Sequence, residues 1–169
     1  YMKNIQVISA IVEHRPGVLY QVSNLFRRRN YNIESISVGP AEAEGTARMT
    51  ITVSEDEQTT EQVIKQLRKL VEVIKVSRLD ASNMVSREMA LVKVDIANGT
   101  ARSDIVQYAN IFRSRIVDVS AESMTIEVTG DASKIDAFID LMKGFGIKEI
   151  ARTGIAALTR GARSTKVEE

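Results

Sequence analysis

Apolar positions in this chain change period at regular intervals, from two to about 3.6 and back, and they do so twice in the same order. Residues 3–12 read as a strand, with Ile5, Val7 and Ile11 on one side and Ile8, Ala10 and Val12 on the other. Glu13-His14-Arg15-Pro16-Gly17 breaks that run, and Val18, Leu19, Val22, Leu25 and Phe26 then recur at helical spacing. Pro16 suits the first turn of this helix, where its missing N–H is harmless, and Asn30 suits the left-handed residue that stops it. Residues 33–38 form a second strand ended by Gly39-Pro40, and 41–45 an acidic loop. Ala47, Met49, Ile51 and Val53 alternate with Arg48, Thr50 and Thr52, the signature of a half-buried third strand. Ser54 and Glu57 fit a capping box ahead of a helix bearing Val63, Ile64, Leu67 and Leu70, and residues 71–76 supply a fourth strand.

After a small, polar, aperiodic stretch at 80–86 the order returns. Residues 89–96 read as a strand and 98–100 as a turn. Ile105, Tyr108, Ala109 and Phe112 line a helix, and 116–119 form a short strand. Met124, Ile126 and Val128 alternate with Thr125, Glu127 and Thr129. Ser133 is expected to cap a helix carrying Ile135, Phe138, Ile139 and Met142, which ends at Gly144 and Gly146 before a strand at 147–151. From Leu158 on, the polar sequence predicts a frayed end.

Each half is thus β-α-β-β-α-β. Two right-handed crossovers turn that order into a four-stranded antiparallel sheet with both helices on one face, an α+β, ferredoxin-like arrangement. The expected organisation is residues 1–79, a linker at 80–86, a second unit at 87–160 and a polar tail at 161–169. A half of about 75 residues is near the lower limit for a self-sufficient core. The second sheet face, to which Ile8, Ala10 and Val12 are assigned, needs cover. Association between halves or between two chains is therefore expected, and pairing of sheet edges would protect unpaired strand backbone.

Composition narrows the chemistry. Lysine and arginine total 23 against 22 aspartates and glutamates, so no global field draws nucleic acid or an anionic membrane. With no cysteine and the single histidine His14, disulfides, thiolate zinc sites, a cysteine nucleophile and multi-histidine metal sites drop out. No apolar run reaches the roughly 18–20 residues that span a bilayer, and no signal-peptide core follows Met2, read as the initiator, so the cytoplasm is the expected compartment.

Three functions suit the architecture. RNA-recognition domains of the same strand order stack bases on aromatics of the two central strands, but residues 4–9 and 47–52 have none, and all four phenylalanines lie in or just after helices. Arg27-Arg28-Arg29 is the one basic cluster, and at a helix end it reads first as a solvated complement to the helix dipole. An enzyme reading would use Glu13 and His14 as an acid–base pair, yet no nucleophile with an orienting base, metal cluster or Gly-rich phosphate loop accompanies them. The third reading is a small-molecule sensor. The helix opening at Pro16-Gly17 presents free N–H groups, and Gly17 has no side chain to block a carboxylate. By spacing alone, Pro-Gly simply starting a helix remains the favoured reading.

Longer blocks change that balance. Residues 13–19 (Glu-His-Arg-Pro-Gly-Val-Leu) and 25–39 (Leu-Phe-Arg-Arg-Arg-Asn-Tyr-Asn-Ile-Glu-Ser-Ile-Ser-Val-Gly) resemble the ACT domain of acetolactate synthase (acetohydroxyacid synthase) small subunits. Residues 66–73, 87–94, 111–113, 116–119 and 149–161 extend the resemblance in order over nearly the whole chain. The blocks Tyr31-Asn32-Ile33-Glu34-Ser35 and Ala151-Arg152-Thr153-Gly154 are its most specific parts, whereas a Pro-Gly helix start is common to many ACT domains.

The resemblance implies that the first unit is an ACT domain and that the chain is a regulatory subunit without catalytic residues of its own. Its implied partner is a catalytic large subunit that carries thiamine diphosphate, Mg²⁺ and FAD and condenses 2-oxo acids on the route to valine, leucine and isoleucine. The small subunit is expected to activate that partner and to confer feedback inhibition, typically by valine. The chain itself is expected to hold no metal or cofactor. Family ACT domains pair side by side, with the effector at the pair interface. The implied effector residues are His14, Gly17, Val18, Leu19, Asn32, Ile33 and Val38. The carboxylate is expected at the N–H groups near Gly17, Val18 and Leu19, the ammonium near Asn32 and the partner chain, and the side chain against Leu19, Ile33 and Val38. Two departures stand out: the family usually has asparagine at His14 and glycine at Asn30. An imidazole replaces one contact of an amide, not both, so effector affinity or identity is expected to differ. An amino-acid-sensing ACT protein with another partner and an RNA-binding module are the alternative functions.

Overall fold

A computed structural model describes residues 4–97 and 99–166. The expected order of elements is present. The first set is β1 (Gln6–Glu13), α1 (Val18–Arg28), β2 (Ser35–Pro40), β3 (Thr46–Val53), α2 (Glu57–Leu67) and β4 (Val73–Leu79). The second is β5 (Met84–Asp95), α3 (Ala101–Ile111), β6 (Arg115–Val119), β7 (Ser123–Gly130), α4 (Ala132–Lys143) and β8 (Ile147–Arg152), followed by a further strand, β9 (Ala156–Thr159). The sheets run β2-β3-β1-β4 and β6-β7-β5-β8, all pairings antiparallel, which is the ferredoxin-like order in both halves.

The chain divides into two units whose limits differ from those expected. One comprises residues up to Ser86 together with those from Gly154 on, and the other is Arg87–Thr153. The stretch 80–86 is no slack linker. Asp80 caps a 3₁₀ turn at Ala81–Asn83, and Met84–Ser86 already belong to β5. Nor are residues 158–166 frayed; the last three residues of the expected tail, 167–169, lie outside the described residues. β9 pairs with β5, the Arg160 N–H donates to the Asn83 carbonyl, and Ala157 is buried with Val7 and Leu79.

In the first unit Val22 and Phe26 of α1 and Val63, Ile64 and Leu67 of α2 pack on one sheet face. From the strands that core receives Ile8, Ala10, Val12, Ala47, Met49 and Ile51. The sequence assigned Ile8, Ala10 and Val12 to the opposite face. Register decides the matter: these three stand opposite Ile51, Met49 and Ala47, the apolar side of β3. Val7, Ser9 and Ile11 stand opposite Thr52, Thr50 and Arg48 and form the second face. That face is nonetheless buried, with Ser9, Ile11, Thr50 and Thr52 all at or below 3% exposure. Residues 154–166 contribute to its cover. Arg48 donates to Ser9 Oγ (2.9 Å) and to Thr165 Oγ1 (2.6 Å), and Lys75 Nζ donates to the Lys166 carbonyl (2.7 Å). Gly154 lies so close to β2 that a Cβ there would stand 2.6 Å from the Ile36 carbonyl oxygen.

The second unit has its own core of Ala90, Val92, Val94, Ile105, Met124, Ile126, Val128, Ile135, Phe138 and Met142. Phe112 meets Phe138 edge-on at 5.3 Å and Tyr108 meets Phe145 at 6.0 Å. Arg152 of β8 ties this unit together, bonding Glu88 of β5, which is buried, and Asp136 of α4 (2.6 Å). Thr153 completes the edge by donating its N–H to the Met89 carbonyl (2.9 Å).

Helix ends depart from expectation in three places. Asp56 and Asp131, not Ser54 and Ser133, cap α2 and α4, each carboxylate accepting from the N–H three residues on. A carboxylate accepts more strongly than a hydroxyl and suits the positive helix end; the Ser133 hydroxyl in turn donates to Asp131. Pro16 lies ahead of α1 rather than in its first turn, because Gly17 holds the capping position in the left-handed region at φ 90°. Asn30 is left-handed as expected, at φ 56°, and so is Arg113 after α3, at φ 51°.

Candidate functional site

The turn between β1 and α1 is held from both sides. The Glu13 N–H donates to the Glu72 carbonyl (2.9 Å) and the His14 N–H to that of Gly45 (2.8 Å). This fixes the backbone where α1 begins. No side chain caps the helix, and its first turn holds no acid. Helix geometry leaves the first-turn N–H groups without carbonyls four residues back. The space where a Gly17 Cβ would stand is open, with no atom within 4 Å. The result is an accessible, locally positive backbone notch.

The implied effector residues sort by position. His14, Gly17 and Leu19 are exposed around the notch, while the Val18 side chain is buried in the core and its N–H makes a long hydrogen bond to the Arg15 carbonyl (3.5 Å). Val38 stands opposite Met49 on the helix side of β2 and is 45% exposed. Asn32 is exposed, its amide donating to Glu34 Oε1 (3.3 Å), and Ile33 is half-buried against the first core.

One chain does not bring them all together. Glu13 is paired with Thr46 and Pro40 with Ala47, so both mark the same end of the sheet. Ser35 is paired with Thr52 and Gln6 with Val53, marking the other end. Asn32 and Ile33 precede Ser35, so the length of the eight-residue β1 lies between them and the notch. At about 3.3 Å per residue that is roughly 25 Å, beyond the reach of a single amino acid.

The structure adds residues that the motif reading left without a role. Arg152, Thr153 and Gly154 mark the crossing from one unit to the other: Arg152 and Thr153 fasten within the second, and Gly154 lies against the backbone of β2 in the first. The signal available in the sequence was glycine at a place where no turn was needed. Among the described residues no group of three acidic or histidine side chains has the spacing of a metal site, and no helix is long and apolar enough to cross a membrane.

Comparison with known proteins covers both units. The family model described as "AHAS small subunit-like ACT domain" matches residues 8–75, and that described as "Small subunit of acetolactate synthase" matches residues 87–161. A probable acetolactate synthase small subunit of Methanothermobacter thermautotrophicus is 55% identical over 158 residues, 94% of each chain. The acetolactate synthase small subunit of Mycobacterium leprae is 49% identical over 156 residues, 92% of each. The crystal structure of the small subunit from Thermotoga maritima superposes with a TM-score of 0.87 at 46% identity, covering 95% of this chain and 99% of that one.

Proposed function

Because this chain belongs to the acetolactate synthase small-subunit family, we propose that it binds and activates the catalytic subunit and gives it feedback inhibition by a branched-chain amino acid, valine being the first candidate. In this reading the chain is regulatory, and thiamine diphosphate, Mg²⁺ and FAD reside on the catalytic subunit.

The observation that carries the sensing half is the separation of the notch from Asn32 and Ile33 by the length of β1. β2 is a terminal strand of its sheet. If two copies join antiparallel through β2, the two-fold axis brings the Asn32 end of one beside the Pro40 end of the other. The notch at Gly17 lies at that same end. A pocket is then completed from two chains, with N–H groups at Gly17, Val18 and Leu19 for the carboxylate and acceptors near the partner's Asn32 for the ammonium. Leu19 and Val38 of one chain and the partner's Ile33 face the aliphatic side chain. His14 sits beside the notch, where its single imidazole contact tunes affinity or choice of amino acid.

Inhibition follows by linkage. Valine must bind the inhibitory arrangement of the complex more tightly than the active one, and the differential affinity sets how far activity falls. Losing two methyl groups, valine to alanine, is expected to cost about 1.6 kcal/mol, roughly 15-fold in affinity.

The test is acetolactate formation by the catalytic subunit, with and without this protein and with each branched-chain amino acid in turn. Gly17→Asp sets a carboxylate where the ligand's belongs. It is expected to abolish valine inhibition while stimulation persists; undiminished valine sensitivity in that variant rules the notch out.

A further inference from the structure

The cover over the second face of the first sheet is incomplete beside β2. Between β2, β3 and β9 a cleft of about 200 Å³ remains. Its polar side comes from Arg48 and Thr50 of β3 and from Ser37, which stands directly opposite Thr50 in the register. Its apolar side comes from Ala156, Ala157 and Leu158 of β9. Gly39, opposite Arg48, keeps the cleft open, since no atom stands within 4 Å of the place its Cβ would take.

The polar groups here are not spent. At the neighbouring pair on the same face, Ser35 Oγ and Thr52 Oγ1 satisfy each other at 2.6 Å. Ser37 and Thr50 make no such bond, and neither hydroxyl has another partner among the described residues. Thr50 is only 3% exposed, so its hydroxyl is withheld from bulk water. It is not sealed in packing either, because the one sealed and unpartnered side-chain oxygen among the described residues is that of Ser114. The Thr50 hydroxyl therefore opens on the cleft, and a buried hydroxyl is costly until something meets it. Arg48 spends three of its five N–H groups on Ser9, Thr165 and Glu42, which leaves two. Its side chain is largely buried, whereas Glu42 is mostly exposed, where solvent screens the pair.

We propose that this cleft binds a small aliphatic monocarboxylate. The carboxylate lies on Arg48 and the hydroxyls of Ser37 and Thr50, and the chain rests against Ala156, Ala157 and Leu158. Size sets the class: at about 30 Å³ for each water-sized group, the cleft holds roughly seven non-hydrogen atoms, as many as the five carbons and two oxygens of 3-methylbutanoate. Val38 alternates with Ser37 and Gly39 and faces the helices, so the site lies on the other side of the sheet from the effector notch. It depends neither on that notch nor on the partnership with the catalytic subunit. Because Arg48 also holds Thr165 and β9 forms one wall, occupancy fastens the C-terminal segment to the sheet and raises the melting temperature.

The experiment titrates the full chain with 3-methylbutanoate and follows both methyl chemical shifts by NMR and thermal melting. Saturable binding at millimolar ligand is expected, with shifts at Ala156, Ala157 and Leu158 and a higher melting temperature. The neutral amide of the same acid should bind about tenfold more weakly, having lost the charge that Arg48 meets. Thr50→Val keeps a branched strand residue and removes the hydroxyl, and is expected to cost about tenfold in affinity. Gly39→Val, at an open position in extended backbone, fills the cleft and should abolish binding; melts without ligand show that both variants are folded. Gly17→Asp is expected to leave the affinity unchanged. No saturable binding to wild type, or binding that survives both Thr50→Val and Gly39→Val, overturns the site. Equal affinity for acid and amide overturns the carboxylate class, and loss of binding in Gly17→Asp alone moves the ligand to the notch.

Discussion

The two units share one strand order and differ in how they are closed. The second is contiguous in sequence and sealed by aromatic contacts and the Arg152–Glu88–Asp136 cluster. The first needs a segment from the far end of the chain, Gly154–Lys166, to bury its second sheet face. Their helix starts differ in the same sense. Both α1 and α3 lack a side-chain cap, but α3 carries Asp104 in its first turn, and Asp95 lines the same cavity of about 260 Å³. Two carboxylates repel an amino acid's carboxylate, whereas the start of α1 holds no acid. One fold thus appears once with an acid-free helix start and once with an acidic one, a contrast that supports placing the proposed sensing role in the first unit.

The contrast in closure predicts the largest effect. A chain ended after Thr153 keeps every element of the second unit but strips the first of its cover. Returning even two or three side chains among Val7, Ile11 and Leu79 to water costs about 1.5 kcal/mol or more each, so the first unit is expected to lose at least about 3 kcal/mol. Urea denaturation followed by hydrogen exchange should show protection lost in β1 and β3 and kept in β5 and β7; equal loss in both units would erase the distinction. A chain cut near Ser82 is for the same reason an incomplete first unit rather than an isolated ACT domain.

Single glycines sharpen the comparison at intermediate size. Gly154→Val drives a side chain into the β2 backbone, which has little room to yield, and is expected to destabilise by about 2 kcal/mol. Gly144→Ala in the second unit meets nothing closer than 3.6 Å in ordinary helical backbone, and is expected to stabilise by about 0.4–1 kcal/mol. Thermal melts of the two variants should move in opposite directions.

The smallest effect is one the two units share. The backbone N–H of Lys134, and then the Ser133 hydroxyl, hold the Asp131 carboxyl below its ordinary range, and the Thr59 N–H does the same for Asp56. A depressed folded-state pKa stabilises above the unfolded value, near 3.9, and that contribution disappears as pH falls through the lower folded value. Asp131→Ala is therefore expected to cost no more than about 1 kcal/mol at neutral pH, since the group is exposed, and progressively less below pH about 4. Melting temperatures of wild type and variant at pH 7 and pH 3 check this, and a gap that does not narrow between pH 7 and pH 3 would remove the carboxylate from the cap's role.

Much of the fold was legible because strand and helix periods are local. The clean alternation of β3 identified both its faces, and Asn30 marked the end of α1 by its tolerance of left-handed backbone. β1 was misassigned because it is buried on both sides, so its own alternation could not say which set met the helices; only pairing with β3 could. Ser54 and Ser133 lost to Asp56 and Asp131 because several acceptors crowd each helix start and backbone geometry selects one. Arg113 gave no warning of φ 51°, since arginine has no special tolerance for that region. For the proposed effector site the sequence named candidate residues, but not their division between opposite ends of one sheet.

By itself the sequence determined two β-α-β-β-α-β units, the apolar side of each helix, the open start at Gly17 and the membership that its motif blocks imply. Only the tertiary structure decided which face of β1 meets the helices, that residues 154–166 complete the first unit, and that the notch and Asn32 lie a strand's length apart. The first group depends on neighbours a few residues away, which the chain states directly. The second depends on strand register and on contacts between residues as distant as Arg48 and Thr165, which exist only once the chain has closed on itself.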